Sequence, residues 1–283
     1  MPATCVRPND LPLICPVCAS PLKMAGDGRS FFCPNRHSFD LASEGYLNLL
    51  LSGRARSSHP GDDREMVRAR RDFLRGGYYR ILLDALVKTV SGEQFLADCG
   101  CGEGYYTGGM AEVCGKTVGI DISKEAVRLA AKSDGRTFYL VGSSFALPLK
   151  SGSVTCASCI FTPVADAEIS RILVPGGRII CVIPGKRHLW RMKTALYDHP
   201  YENSGEAKEY PGFSLLGVTP VSGSVDLPPG AVRTLFSMTP YCKKTSPEAA
   251  EKLFALPGLK TEIEFLICEY VRKNGISVSR RGP

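Results

Sequence analysis

The sequence predicts an α/β protein, a doubly wound Rossmann-like sheet preceded by a small metal-stabilised module. Three observations predict it. From residue 95 of the 283-residue chain, short apolar runs alternate with helical stretches, the pattern of parallel strands joined by right-handed crossovers. The first such run ends in Asp98-Cys99-Gly100-Cys101-Gly102-Glu103-Gly104, with glycines at alternate positions. Glycines at a strand-to-helix turn let backbone approach a ligand, because no Cβ intervenes. Ahead of the sheet, Cys15-Pro16-Val17-Cys18 and Cys33-Pro34-Asn35-Arg36-His37 form two close pairs of metal-ligand type.

The totals are those of a globular protein, with 44% apolar and 22% charged residues. No apolar run approaches the roughly 20 residues that cross a bilayer, and no signal-peptide pattern opens the chain. A membrane protein is therefore excluded and a cytoplasmic location expected. Most of the twelve cysteines lie in predicted strands (Cys156, Cys159, Cys181, Cys268) or in the glycine turn. They read as small core residues rather than disulfide partners. The net charge of +7 is localised: residues 53–80 hold eight arginines against four acids, and residues 272–283 hold four basic residues and no acid. A focused positive patch favours a polyanionic partner.

In chain order, residues 1–14 read as a loose leader and residues 1–52 as a zinc-binding, RNA-recognising domain. Cys15, Cys18, Cys33 and His37 supply the four soft or borderline ligands of a closed tetrahedral zinc site, which is structural because no position is left for water. Gly26 and Gly28 place a hairpin between the pairs. A segment this short needs its metal to fold. Residues 39–50 either pack this domain or lead out of it. A linker follows, and Asp62 and Asp63 cap a helix. Arg64, Arg68, Arg71 and Arg75, at spacings of four, three and four, share one face of this basic linker helix over residues 53–75. Arginine there suits RNA phosphates. Gly76-Gly77 ends it, and Tyr78-Tyr79 opens an apolar helix to Val90.

Residues 76–283 read as the catalytic domain. Strand one covers about 95–98, with a helix at 105–113. Strand two covers 117–121, with a helix at 123–132. Strand three is 138–141, strand four 154–161 and strand five 178–183. Gly-x-Gly-x-Gly after an acid is the pattern of class I S-adenosylmethionine (SAM) methyltransferases. Asp121 ends the second apolar run, 23 residues after Asp98, where a carboxylate can accept the ribose hydroxyls. Asp98, Gly100, Gly102, Glu103, Gly104 and Asp121 are thus candidate cofactor contacts. Ser143 and Ser144 join them, in a turn placed to touch the adenine. Residues 197–220, polar and rich in Tyr, Pro and Gly, read as an insertion or lid. Strands near 221–227 and 260–271, with a helix at 247–254 between them, finish the sheet.

Taken together, the chain resembles the RlmA-type 23S rRNA guanine-N1 methyltransferases over nearly its whole length. The resemblance is carried by the zinc segment with Phe39-Asp40 and Glu44-Gly45-Tyr46, by Asn48-Leu49-Leu50, and by Pro60-Gly61-Asp62. Ala69-Arg70-Arg71, the glycine turn through Tyr105-Tyr106-Thr107, and Pro184-Gly185 with His188-Leu189 complete it. It implies zinc on Cys15, Cys18, Cys33 and His37. It implies SAM contacts from Tyr79, Gly102, Glu103, Gly104, Asp121 and His188. The target implied is a guanine of hairpin 35 in 23S rRNA, with tylosin-type macrolide susceptibility affected in some members. Where many relatives have a strand four ending in Tyr-Ala-Pro-Cys, this chain has Ile160-Phe161-Thr162-Pro163.

The guanine N1 proton calls for a base, or for stabilisation of charge on O6. Thr162, Asp166 and Glu168 are candidates for the first and Lys186 for the second, with no catalytic residue singled out. Phe161, Tyr201 and Tyr210 are candidate platforms for a splayed base. A possible homodimer is compatible with the sequence. The alternative is a small-molecule methyltransferase whose zinc segment is a lid.

Overall fold

The structure, a computed structural model, describes residue 6, residues 8–51 and residues 63–273. The residues of the expected linker at 53–62, with Pro60-Gly61-Asp62, lie outside the described residues, as do residues 1–5 of the leader and the tail from 274. The first module is an antiparallel sheet of β1 (Lys23–Met24), β2 (Ser30–Phe32) and β3 (Ser38–Asp40). Strands this short do not bury a core of their own. Leu13, Leu22 and Phe31 instead join one buried cluster with Ala97, Phe138 and Leu149 of the larger domain. The Phe31 and Phe138 rings lie 5.9 Å apart. Ile14 N–H donates to Pro148 O at 3.0 Å and Lys150 N–H to Pro12 O at 2.8 Å.

Residues 39–50 lead out of the module and into the main sheet, where β4 (Leu47–Asn48) forms an edge. Two helices follow, α1 (Arg64–Arg75) and α2 (Arg80–Thr89). Asp63 caps α1 by accepting Met66 N–H at 2.9 Å. The helix buries Met66, Val67, Phe73 and Leu74, leaving Arg64, Arg68 and Arg75 exposed. Then come β5 (Phe95–Cys99), α3 (Tyr105–Ala111), β6 (Lys116–Asp121), α4 (Lys124–Ser133), β7 (Phe138–Val141), β8 (Val154–Ile160) and α5 (Asp166–Ile172). The chain closes with β9 (Leu173–Pro184), α6 (Trp190–Leu196), β10 (Phe213–Leu227), α7 (Pro229–Ser237), α8 (Pro247–Phe254) and β11 (Leu259–Arg272).

The eight-stranded order is β10-β11-β9-β8-β5-β6-β7-β4. All five residues of β5 are buried, as expected for a central parallel strand covered on both faces. Strand succession runs one way from β5 through β6 to β7 and the other way from β8 to β9. The switch point therefore lies between β5 and β8, and ligands of such sheets bind at the strand carboxyl ends there. β11 is antiparallel to both β9 and β10, which is the last strand expected from the sequence.

Three expectations are corrected. Only residues 197–212 lack helix or strand in the expected insertion at 197–220, because β10 begins at Phe213. The polar residues that suggested a lid lie mainly in 197–212, and Leu215–Pro220 of β10 are exposed in a row along the sheet edge. β9 begins at Leu173, before the glycine pair 176–177. Helix α7 occupies a stretch where none is predicted; proline at a first helical position is pre-set for the helix.

Candidate active site and metal centre

In the module, the ligand atoms of Cys15, Cys18, Cys33 and His37 all lie within 4.8 Å of one another. The Cys18 and Cys33 sulfurs are 3.7 Å apart. His37 Nδ1 lies 3.3 Å from the Cys33 sulfur and 3.6 Å from that of Cys15. A tetrahedron with Zn–S bonds of about 2.3 Å has edges of about 3.7 Å, so the four donors fit zinc. The cysteine turns build this geometry locally. Ala19 and Arg36 take left-handed backbone, φ 57° and 63°, while Ala19 N–H returns to Cys15 O and Arg36 N–H to Cys33 O. Ser20 pulls the Cys18 thiol down toward the thiolate that binds metal.

The glycine turn lies at the carboxyl end of β5. Gly100, Gly102 and Gly104 all have positive φ, at 85°, 56° and 86°. Their surroundings differ. A Cβ on Gly100 would come within 2.6 Å of Thr162 Oγ1, and one on Gly104 within 2.7 Å of the Tyr139 hydroxyl. At Gly102 it would meet nothing within 4 Å. The first and third glycines fit the turn against its neighbours, whereas the second faces open space.

That space is a cavity of about 20 Å³ lined by Val67, Arg70, Gly102, Glu103, Asp121, Ser123 and Ala126. Asp121 Oδ2 accepts Gly102 N–H at 2.9 Å and Oδ1 accepts Ser123 N–H at 2.8 Å. The carboxylate is thereby fixed at the tip of β6. Glu103 is buried and its Oε1 has no hydrogen-bond partner among the described residues. Burial pushes its carboxyl up, against the pull of Arg75, Arg71 and Arg70. An open glycine, an orphaned buried carboxylate oxygen and a strand-end aspartate suit the nucleoside and amino groups of SAM. The volume is that of a water site, so a nucleoside would have to displace Val67 and Arg70.

The other expected cofactor residues are placed differently. Asp98 is 1% exposed and lies beneath the turn rather than in the cavity. Thr107 donates to its Oδ2 at 2.5 Å and Ser158 to its Oδ1 at 2.7 Å. Burial raises its pKa to about 6. Ser143 and Ser144 follow β7 in a half-exposed turn, joined to β6 where Gly142 N–H donates to Asp121 O. Tyr79 and His188 come together as a buried pair, with the tyrosine oxygen 3.2 Å from His188 Nε2. His188 Nδ1 accepts Glu264 N–H at 3.1 Å. Burial, then Lys193, lower the His188 pKa to about 3. The ring is neutral and Nδ1 accepts, so its one proton is on Nε2 and is donated to the Tyr79 oxygen.

The arginine face runs along α4. Arg71 and Arg75 donate to Ser133 Oγ at 3.2 and 2.9 Å, while Arg64 and Arg68 act electrostatically on Glu125 at the other end of α4. Two residues missed by the sequence reading belong to the site. Arg70 lines the cavity. The Tyr106 hydroxyl is buried without a hydrogen-bond partner among the described residues and feels Tyr79, Arg70 and Glu103. The doubled tyrosine after the glycine turn was the available signal for Tyr106. Helical spacing takes Arg70 off the face of Arg64, Arg68, Arg71 and Arg75, which was the available signal for it.

Glu168 is corrected as a candidate base, since its carboxylate accepts Leu147 N–H at 2.9 Å and pairs with Arg171 at 2.8 Å. Tyr210 is corrected as a platform: it is half-buried, with its ring 5.2 Å from Tyr270. Asp166 begins α5 and Lys186 is exposed after β9.

Comparisons with known proteins bear on both centres. A family model described as "RlmA, N-terminal", a zinc ribbon, matches residues 13–57, and a methyltransferase-domain model matches residues 97–181. The chain is 31% identical to the 23S rRNA (guanine(748)-N(1))-methyltransferase of Streptomyces fradiae, over 90% of this chain and 96% of that one. Two relatives with provisional names of the same 23S rRNA (guanine-N1) kind are similar. One, from Micromonospora griseorubida, is 34% identical over 65% of this chain and 70% of its own. The other, from Bacillus subtilis, is 30% identical over 69% and 74%. With its zinc-ligand cluster and its glycine turn both formed, the chain belongs to the RlmA-type family of SAM-dependent 23S rRNA (guanine-N1)-methyltransferases.

Proposed function

We propose that the protein methylates N1 of a guanine in the hairpin 35 region of 23S rRNA, and that the modification alters susceptibility to tylosin-type macrolides. The observation that carries this is the shared core of ribbon and sheet, with Phe31 against Phe138. Ribbon and catalytic sheet are one body, as the Streptomyces fradiae similarity over both parts also suggests. When bound, SAM would supply an activated methyl for N1, leaving S-adenosylhomocysteine, with the N1 proton passing to solvent. Asp121 would hold the ribose hydroxyls. Glu103 would receive the ammonium, and Gly102 would admit the ligand against backbone. Tyr79, fixed by neutral His188, would donate its free proton to an acceptor of the cofactor. Such fixed groups act by aligning N1 with the methyl.

The arginine face would take phosphates, chiefly through exposed Arg64 and Arg68. We assign a cytoplasmic location on the nature of the substrate; among the described residues no helix is long and apolar enough to cross a membrane. The test is methyl transfer from labelled SAM to unmodified rRNA, followed by nucleoside analysis and mapping. Label on N1 of a hairpin 35 guanine is the expected result. SAM binding with no transfer to rRNA would overturn the proposal and favour a small-molecule substrate.

A further inference from the structure

Phe161 stands out in backbone, position and exposure. It follows Ile160, the last residue of β8, at the ligand end of the sheet beside the switch point. Its φ is +56°, a left-handed conformation that bulky residues rarely adopt. The surroundings enforce it. Phe161 N–H donates to Val182 O of β9 at 3.2 Å. Thr162, the next residue, fills the place of a Gly100 Cβ, with its Oγ1 2.6 Å from that position. Clamped between β9 and the glycine turn, the chain turns the phenyl ring outward, and the residue is 46% exposed.

The ring has a backing on one side. Its centroid is 5.8 Å from Phe265, whose ring lies 4.8 Å from His188 and 4.9 Å from Tyr79. An exposed aromatic is thus built onto the same aromatic cluster that holds the Tyr79–His188 pair. A disfavoured backbone maintained at the ligand end of a sheet is the kind of outlier from which function is inferred. The competing aromatics are already engaged. Lys193 Nζ lies 4.7 Å over the Tyr201 ring while donating to Tyr201 O, and Tyr210 is half-buried against Tyr270.

We propose that Phe161 is the surface on which the target guanine stacks when it leaves its RNA loop. The inference rests on the guanine-methylation reading and adds the substrate-contacting residue to it. A base taken from its stack loses a π neighbour, and a rigid aromatic replaces it without regard to base identity. Placement beside Thr162 and Gly100 brings such a base to the turn that borders the cofactor cavity.

The test uses the full-length protein with Phe161→Leu, Phe161→Tyr and Phe161→Gly, assayed on unmodified 23S rRNA. Melting temperature and SAM affinity are measured alongside. The Leu variant keeps apolar bulk but has no π face; it should lose roughly ten- to hundredfold in kcat/KM for RNA at unchanged SAM affinity. The Tyr variant should stay within about threefold of wild type, since it retains the stacking surface. Glycine accepts positive φ freely, so the Gly variant should melt no lower than wild type yet lose as much activity as Leu. A Leu or Gly variant with wild-type kcat/KM would overturn the platform while leaving the methylation reading intact. Wild-type protein that methylates some other RNA atom would overturn both.

Discussion

The molecule holds two ligand cradles of opposite construction. The zinc cradle is drawn from 23 consecutive residues, 15–37, and its four donors already stand at tetrahedral edge lengths. The cofactor cradle is gathered from α1, the glycine turn, β6 and α4, and its cavity of about 20 Å³ is closed over by Val67 and Arg70. The first cradle is a structural centre, formed by turns that bond to themselves. The second receives a reactant and must open. Local hydrogen bonds hold the first, whereas Val67 and Arg70 of a separate helix line the second.

Zinc removal should break the comparison most sharply. Cys33→Ser or chelation is expected to lower stability on the order of several kcal/mol. Because Phe31 and Leu13 share a core with Phe138 and Ala97, the melting transition of the whole chain should fall with zinc content, rather than that of the ribbon alone. Calorimetry with metal analysis checks this, and an unshifted main transition would mean that the ribbon is thermodynamically separate.

The glycine turn offers an internal contrast. Gly100→Ala meets Thr162 at 2.6 Å and positive φ together, so it should destabilise by roughly 2–5 kcal/mol. Gly102→Ala meets no atom within 4 Å. It should cost only about 1 kcal/mol of backbone strain but lower SAM affinity more than tenfold, since its methyl would occupy the ligand's space. Paired melting curves and SAM titrations separate the two effects.

Asp98 sharpens the distinction between supporting and binding groups. Its native pKa of about 6 lies above the usual carboxyl value, so the folded protein binds this proton more tightly than the unfolded chain does. The associated stability is complete below about pH 4 and lost as pH rises through about 6, to a limit of about 3 kcal/mol. Asp98→Asn should remove that portion of the slope when denaturation is compared between pH 4 and 8. The smallest effect on the fold is expected from Arg64→Glu with Arg68→Glu. These exposed changes should leave the melting temperature in place, weaken RNA binding and reduce its logarithmic salt slope by about two. A salt titration of RNA affinity reads the slope directly.

Legibility in the sequence follows the same division. Cys15, Cys18, Cys33 and His37 could be named from spacing, as could the order β5–α3–β6–α4–β7. The first half of β10 could not, because Gly217 and Pro220 punctuate it like a loop and its exposed run Leu215–Pro220 lacks the alternation of a half-buried strand. Nor could the Leu147 N–H donated to Glu168 be read, since it comes from 21 positions away, whereas the i,i+3 pairing of Glu168 with Arg171 follows from helical spacing.

By itself the sequence determined the metal ligands, the glycine turn with its strand-end Asp121, and the alternation that sets the sheet. Each is a local pattern whose geometry is completed within a few turns of chain. Tertiary structure alone decided that Tyr79 meets His188, 109 positions away. It placed Arg70 rather than Arg64 or Arg68 at the cavity, and it turned Phe161 outward. Those outcomes depend on how strands β5, β8 and β9 stand side by side, and packing across a sheet joins residues that no spacing along the chain relates.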